Sequence, residues 1–342
     1  MPSLHAPLSL GAQTSYAELF DMAQSAARAK FAALRGSFHR RRIKGKTYVY
    51  FNFRDIDGRG RSTYVGPETE KVASLVGEIE KSQALAGREA LSQRSKACIA
   101  LGCFGLPDKG FRGINKLASY GFFRAGGVLV GQHAFLSIGN MLGVRWASDP
   151  AELGHNITIG FPLASEIVSH DTITALEMGQ MPVREFRGYK GSQRAPYEGA
   201  LQVDFLTPDF RGDIVGARPG MGIPLQPRKF LELLLEDTAQ GVVFGKSGAC
   251  LVNLPDPARM ALHMILVSTQ LPASERGGSA KELEQAAALI EWHLDHGREG
   301  RLREVRLEAL RIGPDWGQCI EQGLASFSRT HYGVRMTASF VD

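Results

Sequence analysis

The chain has 342 residues, 44% hydrophobic and 22% charged, with a formal net charge of +5. That length buries a sizeable core, and the composition is that of an ordinary soluble globular protein. No run approaches about 18 apolar residues, which excludes a membrane-spanning helix, and Cys98, Cys103, Cys250 and Cys319 show no C-x-x-C spacing, which argues against a structural zinc site.

The opening "MPSLHAPLSLGAQTSYAELF" lacks the basic-then-apolar pattern of a secretion signal, so a cytoplasmic protein with reduced thiols is expected. Residues 16–35 place apolar side chains at helical spacing and end at Gly36, a natural helix stop. Next, "TYVYFNF", "DGRG" and "RSTYVG" read as strand, turn and strand. The arms of this predicted β-hairpin carry Arg40, Arg41, Arg42, Lys44, Lys46, Arg59 and Arg61, interleaved with Tyr48, Tyr50 and Phe51. Eleven Lys or Arg lie between Arg28 and Arg61 against two acids, Asp55 and Asp57. Such a block points to a polyanion: cations neutralise phosphates and exposed rings stack on bases. The plain alternatives are a solvated face, or a hairpin packed on its own domain.

Pro67 opens a predicted long helix that runs to Gly102. A short helical element in 106–123 is followed by "RAGGVLVGQHAFLSIGNMLGV", which reads strand, Gly turn, helix. Beyond Trp146, strands "NITIGF", "ALQVDFLT" and "GACLVNLP" alternate with helical runs at Pro227–Glu236, Asp256–Val267 and Lys281–Gly297. The last segment is helical with a break at Gly313–Pro314. The whole pattern predicts an α+β fold with a mixed sheet flanked by helices.

"GSFHRRRIKGKTYVYFNF", "YGFFRAGGVLVGQHAF", "LGVRW", "ALEMGQMPV", "LQVDFLTP", "LQPRKFLELLL", "LPDPARMALHMILV" and "AKELEQAAALI" follow one another in an order that resembles bacterial nucleotidyltransferase-like proteins of the polymerase-beta type, over roughly residues 15–300. The resemblance implies three parts. Residues 1–105 hold the N-terminal helix, the basic β-hairpin and the long helix. Residues 106–225 are the nucleotidyltransferase-like core, and 226–342 are a mainly helical part that completes the fold.

Enzymes of this kind move a nucleotidyl group from a nucleoside triphosphate with Mg²⁺. Three carboxylates hold the metal, two of them as Asp-x-Asp on one strand, because residues i and i+2 share a face. The resemblance aligns that pair with Asn156 and Thr158, which carry no negative charge, and the third carboxylate with Asp204. Asp149 and Glu152 are the nearest upstream acids, but Glu152 lies about 13 Å from Asn156 in an extended chain. No metal site is therefore assigned.

The resemblance also implies nucleotide-binding roles for Gly131, Gln132, Arg259, His263 and Lys281. Gln132 stands where the family has a small hydroxyl residue, Met264 where a Lys follows the His, and Gln270 near a usual basic position. Each has an ordinary reading too: a tight turn at Gly131, a strand-end acceptor at Asp204, a structural histidine at His263.

The losses cluster at the metal and phosphate positions while the frame around them persists. The expected protein is a nucleotidyltransferase frame degenerate in two-metal catalysis, acting as a nucleic-acid- or protein-binding regulatory factor. The alternatives are an active Mg²⁺-dependent enzyme acting on RNA, protein or a small molecule, and an antitoxin-like or scaffold protein. Mg²⁺ and a nucleoside triphosphate are the cofactors only if it is active.

Overall fold

Ser9 starts the first long helix: its hydroxyl accepts from the Ala12 N–H at 3.2 Å, which satisfies one of the unpaired donors of the first turn. In the computed structural model, which describes residues 3–31, 34–56, 58–85, 87–147, 156–162, 170–182, 186, 189–190, 201–209, 225–269, 276–313 and 316–330, strand β1 (His5–Pro7) precedes helix α1 (Leu10–Arg28). The helix thus begins six residues before Tyr16 and ends well before Gly36. Gly36 has a different job, since a Cβ there would collide with the Asn52 carbonyl and the Phe51 ring.

The basic region is a three-stranded antiparallel sheet rather than a single hairpin. Its strands are β2 (Ser37–Ile43), β3 (Lys46–Arg54) and β4 (Gly60–Pro67). Lys44 and Gly45, with φ of 48° and 78°, form the two-residue turn between β2 and β3, a geometry that matches strand twist. On β3, Val49, Phe51 and Phe53 are buried while Tyr48, Tyr50 and Asn52 are half-buried, the period-2 signature of a one-sided sheet. Burying each of those three apolar side chains contributes about 1.5–3 kcal/mol.

Pro67 closes β4 instead of opening a helix. Thr69 does the opening: its hydroxyl accepts from the Val72 N–H at 3.3 Å. Helices α2 (Glu70–Leu85) and α3 (Arg88–Ala100) replace the single long helix, parted at Gly87. Then come α4 (Asp108–Ser119), β5 (Val128–Val130), α5 (Gly131–Met141) and β6 (Val144–Trp146), the last pairing with β1. β7 (Asn156–Gly160), α6 (Thr172–Glu177), β8 (Tyr189–Lys190) and β9 (Gln202–Pro208) follow.

Residues Pro227–Glu236 are not one helix. They hold part of β10 (Gln226–Arg228) and the short α7 (Leu231–Leu235). A second hairpin, β11 (Ala239–Gly245) with β12 (Gly248–Leu254), includes a strand that the glycines of "AQGVVFG" hid from the sequence pattern. The C-terminal helices are α8 (Pro257–Ser268), α9 (Arg276–Asp295), α10 (Glu299–Ile312) and α11 (Trp316–Ser328).

The central sheet has the order β10-β9-β7-β5, with β8 also on β9. β7, β8 and β10 run parallel to β9, and β5 runs antiparallel to β7, which makes the sheet mixed and the fold α+β. α4 lies directly on it, with Gly113 against Ile157 and Leu201, where any Cβ would clash. No helix among the described residues is long and apolar enough to cross a membrane.

Lys116 of α4 is 9% exposed, its Nζ 4.8 Å from the Phe53 ring centre and 5.5 Å from that of Tyr120. Burial pushes its pKa down to about 8, with Asp55 opposing and Arg35 adding to the shift. Because the folded value lies below the ordinary 10.5, the unfolded chain holds more protons between about pH 8 and 10.5, so stability rises with pH across that window. Lys116→Met is expected to abolish this gain, read as the difference between variant and parent denaturation midpoints over that range. An unchanged difference curve would assign the titration to another group.

Candidate functional site

Three strands and one turn bring the site together. β5 passes straight into α5 through Gly131, whose φ of +70° is a left-handed conformation that glycine adopts without strain. A Cβ there would lie 3.9 Å from the Thr158 Oγ1, so the backbone angle, not crowding, demands the glycine. Val130, the extended residue that caps α5, provides no side-chain cap, which leaves the helix N-terminus facing Thr158 with uncapped backbone donors. Gln132 is half-buried in that first turn.

Strand register does the rest. β7 and β9 place Asn156 beside Gln202 and Thr158 beside Asp204, and β5 places Val130 beside Thr158. Asn156, Thr158, Asp204 and Gly131 therefore converge on one end of the sheet, as the resemblance implied. The Asn156 amide N–H donates to one Asp204 carboxylate oxygen, and the Gln202 Nε2 donates to the other at 3.4 Å. Both oxygens of this carboxylate face amide hydrogens. Gln202 was not singled out from sequence, although its i−2 spacing to Asp204 puts it on the same strand face.

His133 is a second residue missed from sequence. It is 2% exposed, and burial pushes its pKa down to about 4, while a hydrogen bond to the Asn156 backbone opposes that shift. The imidazole is neutral, and its Nε2 has no hydrogen-bond partner among the described residues. Its position two residues after the turn glycine was the available signal.

Arg259 and His263 lie on α8, one turn apart. Arg259 is 2% exposed, and its guanidinium donates to the Leu233 carbonyl (3.2 Å), Glu236 (3.0 Å), Asp237 (2.9 Å) and Glu308 (2.6 Å). That bracing sits by α7, whose Leu231 and Leu235 pack on Gly160, the opposite end of β7 from Asn156 and about 13 Å away along the strand. His263 is half-buried and held neutral, with burial pushing its pKa down to about 4. Lys281 is half-buried on α9. The structure does not bring Arg259 to the Asn156–Asp204 end. Asp57, Asp149, Glu152, Gln270 and Pro314 lie outside the described residues.

The basic sheet sorts its cations by face. Arg40 pairs with Glu68 at 2.6 Å and Arg61 with Asp55 at 2.9 Å, while the Arg59 backbone N–H donates to Asp55 at 2.8 Å. Arg42 lies opposite Thr47, on the Arg40 side of the sheet. Arg41 and Lys46 share the other side with Tyr48 and Tyr50, and Lys44 sits in the turn. Phe51, interleaved with the same cations in the sequence, is fully buried, as strand alternation requires of one of these rings.

A mixed sheet with a strand–glycine turn–helix beside a parallel strand pair that presents i and i+2 positions is the frame of a nucleotidyltransferase. The family model described as "Nucleotidyltransferase" matches residues 111–311, more than half of the chain, and the chain belongs to that family. No curated protein and no solved structure gives a significant match. Among the described residues there is no group of three or more His, Cys, Asp or Glu placed to hold a metal ion.

Proposed function

We propose that this member of the nucleotidyltransferase family no longer performs two-metal nucleotidyl transfer and acts as a binding or regulatory factor, with nucleic acid as its partner through the basic three-stranded sheet. The supporting observation is the occupancy of Asp204. Mg²⁺ needs several oxygen ligands at about 2.0–2.1 Å in near-octahedral order. Of the three positions that the resemblance aligns with metal ligands, one, Asp204, is a carboxylate, and the amide hydrogens of Asn156 and Gln202 engage its two oxygens. A neutral amide N–H supplies no positive charge, but it occupies an oxygen that a metal would need, and both Asp204 oxygens are so occupied. The donor set among the described residues does not fit a pair of Mg²⁺ ions, and we derive no catalytic step through them.

The nucleic-acid half of the proposal rests on charge. No Asp or Glu occurs within the three basic strands, while Arg40, Arg41, Arg42, Lys46, Arg54 and Arg61 do. Lys and Arg so concentrated bind phosphates by releasing counterions.

The test uses each of the four nucleoside triphosphates, labelled at the α-phosphate, with Mg²⁺ or Mn²⁺ and with RNA or a cell extract as acceptor. The expected result is no transferred label, with titration calorimetry showing no Mg²⁺-dependent triphosphate binding tighter than about 1 mM. Transfer that disappears in Asp204→Ala would establish the active enzyme instead.

A further inference from the structure

The nucleotidyltransferase site leaves three tyrosines without a role. Strand register sets Tyr50 opposite Tyr64 on one side and His39 on the other, and Tyr48 opposite Arg41. The ring centres of Tyr50 and Tyr64 are 5.5 Å apart, those of Tyr48 and Tyr64 6.2 Å. The Arg41 guanidinium lies over the Tyr50 ring at 5.4 Å. Tyr64 is 47% exposed, and Arg41, Ile43 and Lys46 on the same face of the sheet are exposed as well.

Alternation places all of these on the sheet face that points away from Val49, Phe51 and Phe53. Among the described residues no carboxylate pairs with Arg41 or Lys46, whereas Arg40 and Arg61, on the other face, are paired. The chain has thus concentrated aromatic rings and uncompensated positive charge on a single open surface.

We propose that this face binds single-stranded nucleic acid, with Tyr48, Tyr50 and Tyr64 stacking on unpaired bases and Arg41 and Lys46 contacting the phosphates between them. The proposal deepens the nucleic-acid reading above and rests on it. A duplex keeps its bases stacked inside and offers such a surface only phosphates. An unpaired strand offers a π-face at every nucleotide, and stacking on aromatic side chains tolerates any sequence. A sheet is suited to the task because neighbouring strands, about 4.8 Å apart, hold rings side by side at fixed height.

The experiment measures fluorescence anisotropy of labelled oligo(dT) and oligo(U) of about 15 nucleotides, and of a duplex of equal length, against the intact chain. Single strands are expected to bind more tightly than the duplex, and the two sugars distinguish a DNA from an RNA target. Replacing Tyr48, Tyr50 and Tyr64 together by Leu keeps apolar bulk but removes the π-faces, and is expected to weaken single-strand binding about 100-fold at unchanged thermal stability. The triple Phe variant retains the faces and is expected to bind like the parent.

Parent-like binding by the triple Leu variant overturns stacking, as does a duplex that binds as well as the single strands. Loss on Arg41→Ala and Lys46→Ala with no effect of the Leu changes also leaves only an electrostatic contact, and sinks this proposal while sparing the nucleic-acid reading. No binding of any oligonucleotide by the parent chain sinks both.

Discussion

Placing aspartate at Asn156 and Thr158 together is expected to create a Mn²⁺ site at the end of β7 that binds about 100-fold more tightly than the parent chain does. The frame for it already exists: Thr158 sits beside Asp204, and Asn156 is within hydrogen-bonding reach of the same carboxylate. At an effective dielectric of about 20, one carboxylate about 4 Å from a divalent ion contributes of order 8 kcal/mol of gross attraction. Dehydration of the ion offsets most of that. If about 1.4 kcal/mol survives per added carboxylate, each contributes a factor of ten.

The same change has a cost in the metal-free protein. Three carboxylates at one strand end repel one another, so each resists ionisation and the folded state is strained. The melting temperature of Asn156→Asp/Thr158→Asp is therefore expected to fall without metal and to recover with Mn²⁺, while the parent shows no Mn²⁺ response. Calorimetric titration and thermal melts with and without Mn²⁺ read both effects. A folded double variant that binds Mn²⁺ no better than the parent would mean that the strand pair is not a metal frame that has lost its charges. Tight Mn²⁺ binding by the parent would instead contradict the non-catalytic proposal directly.

Arg259→Leu is expected to destabilise the chain by about 3 kcal/mol. Its guanidinium is buried, its two terminal nitrogens donate to one carbonyl and three carboxylates, and Arg301 joins the same cluster through Asp237, Asp256, Glu304 and Glu308. Removing Arg259 leaves Glu236, Asp237 and Glu308 facing one another across a space that Leu fills with hydrocarbon. Lysine keeps the charge but not the planar fork, so Arg259→Lys is expected to fall between parent and Leu.

A pH signature accompanies this loss. The hydrogen bond and charge of Arg259 hold the Asp237 carboxyl below its ordinary value, with Arg301 adding to the effect. A depressed carboxylate pKa stabilises the fold above the unfolded value and ceases to do so as pH falls through the folded one. Arg259→Leu is therefore expected to show a flatter loss of stability with acid than the parent, in denaturant titrations from neutral pH downward. Nucleic-acid binding should not change, because the cluster braces α7, α8 and α10 at the far end of β7. A variant as stable as the parent would show that the cluster only offsets its own desolvation.

Local pattern made some elements legible and hid others. "VLVG" followed by an apolar helix gave β5, Gly131 and α5, because the glycine and the change of period are visible within a dozen residues. β2 escaped because four charged or imidazole side chains in "SFHRRRI" erase its alternation, although its partner β3 shows the pattern plainly. Gly36 looked like a helix stop but is a contact residue, since its neighbours Phe51 and Asn52 come from another strand. Arg259 looked like a nucleotide contact because its acids, at positions 236, 237 and 308, are too far along the chain for any spacing rule to connect.

By itself the amino-acid sequence determined the charge inventory of the positions that the resemblance aligns: Asp204 on one strand, and on another the neutral Asn156 and Thr158, whose shared face follows from i, i+2 spacing. It also determined that the basic residues cluster early in the chain with tyrosines among them. Only the tertiary structure decided that the amides of Asn156 and Gln202 engage Asp204, that His133 is buried, and that Arg41 and Lys46 face outward with three rings while Arg40 and Arg61 are neutralised. The physical reason is the range of the interactions. Residue chemistry and period are carried by a few neighbours, whereas hydrogen bonds and ion pairs act over about 3–4 Å between atoms that the sequence separates by tens of residues, and only strand pairing and helix packing bring them together.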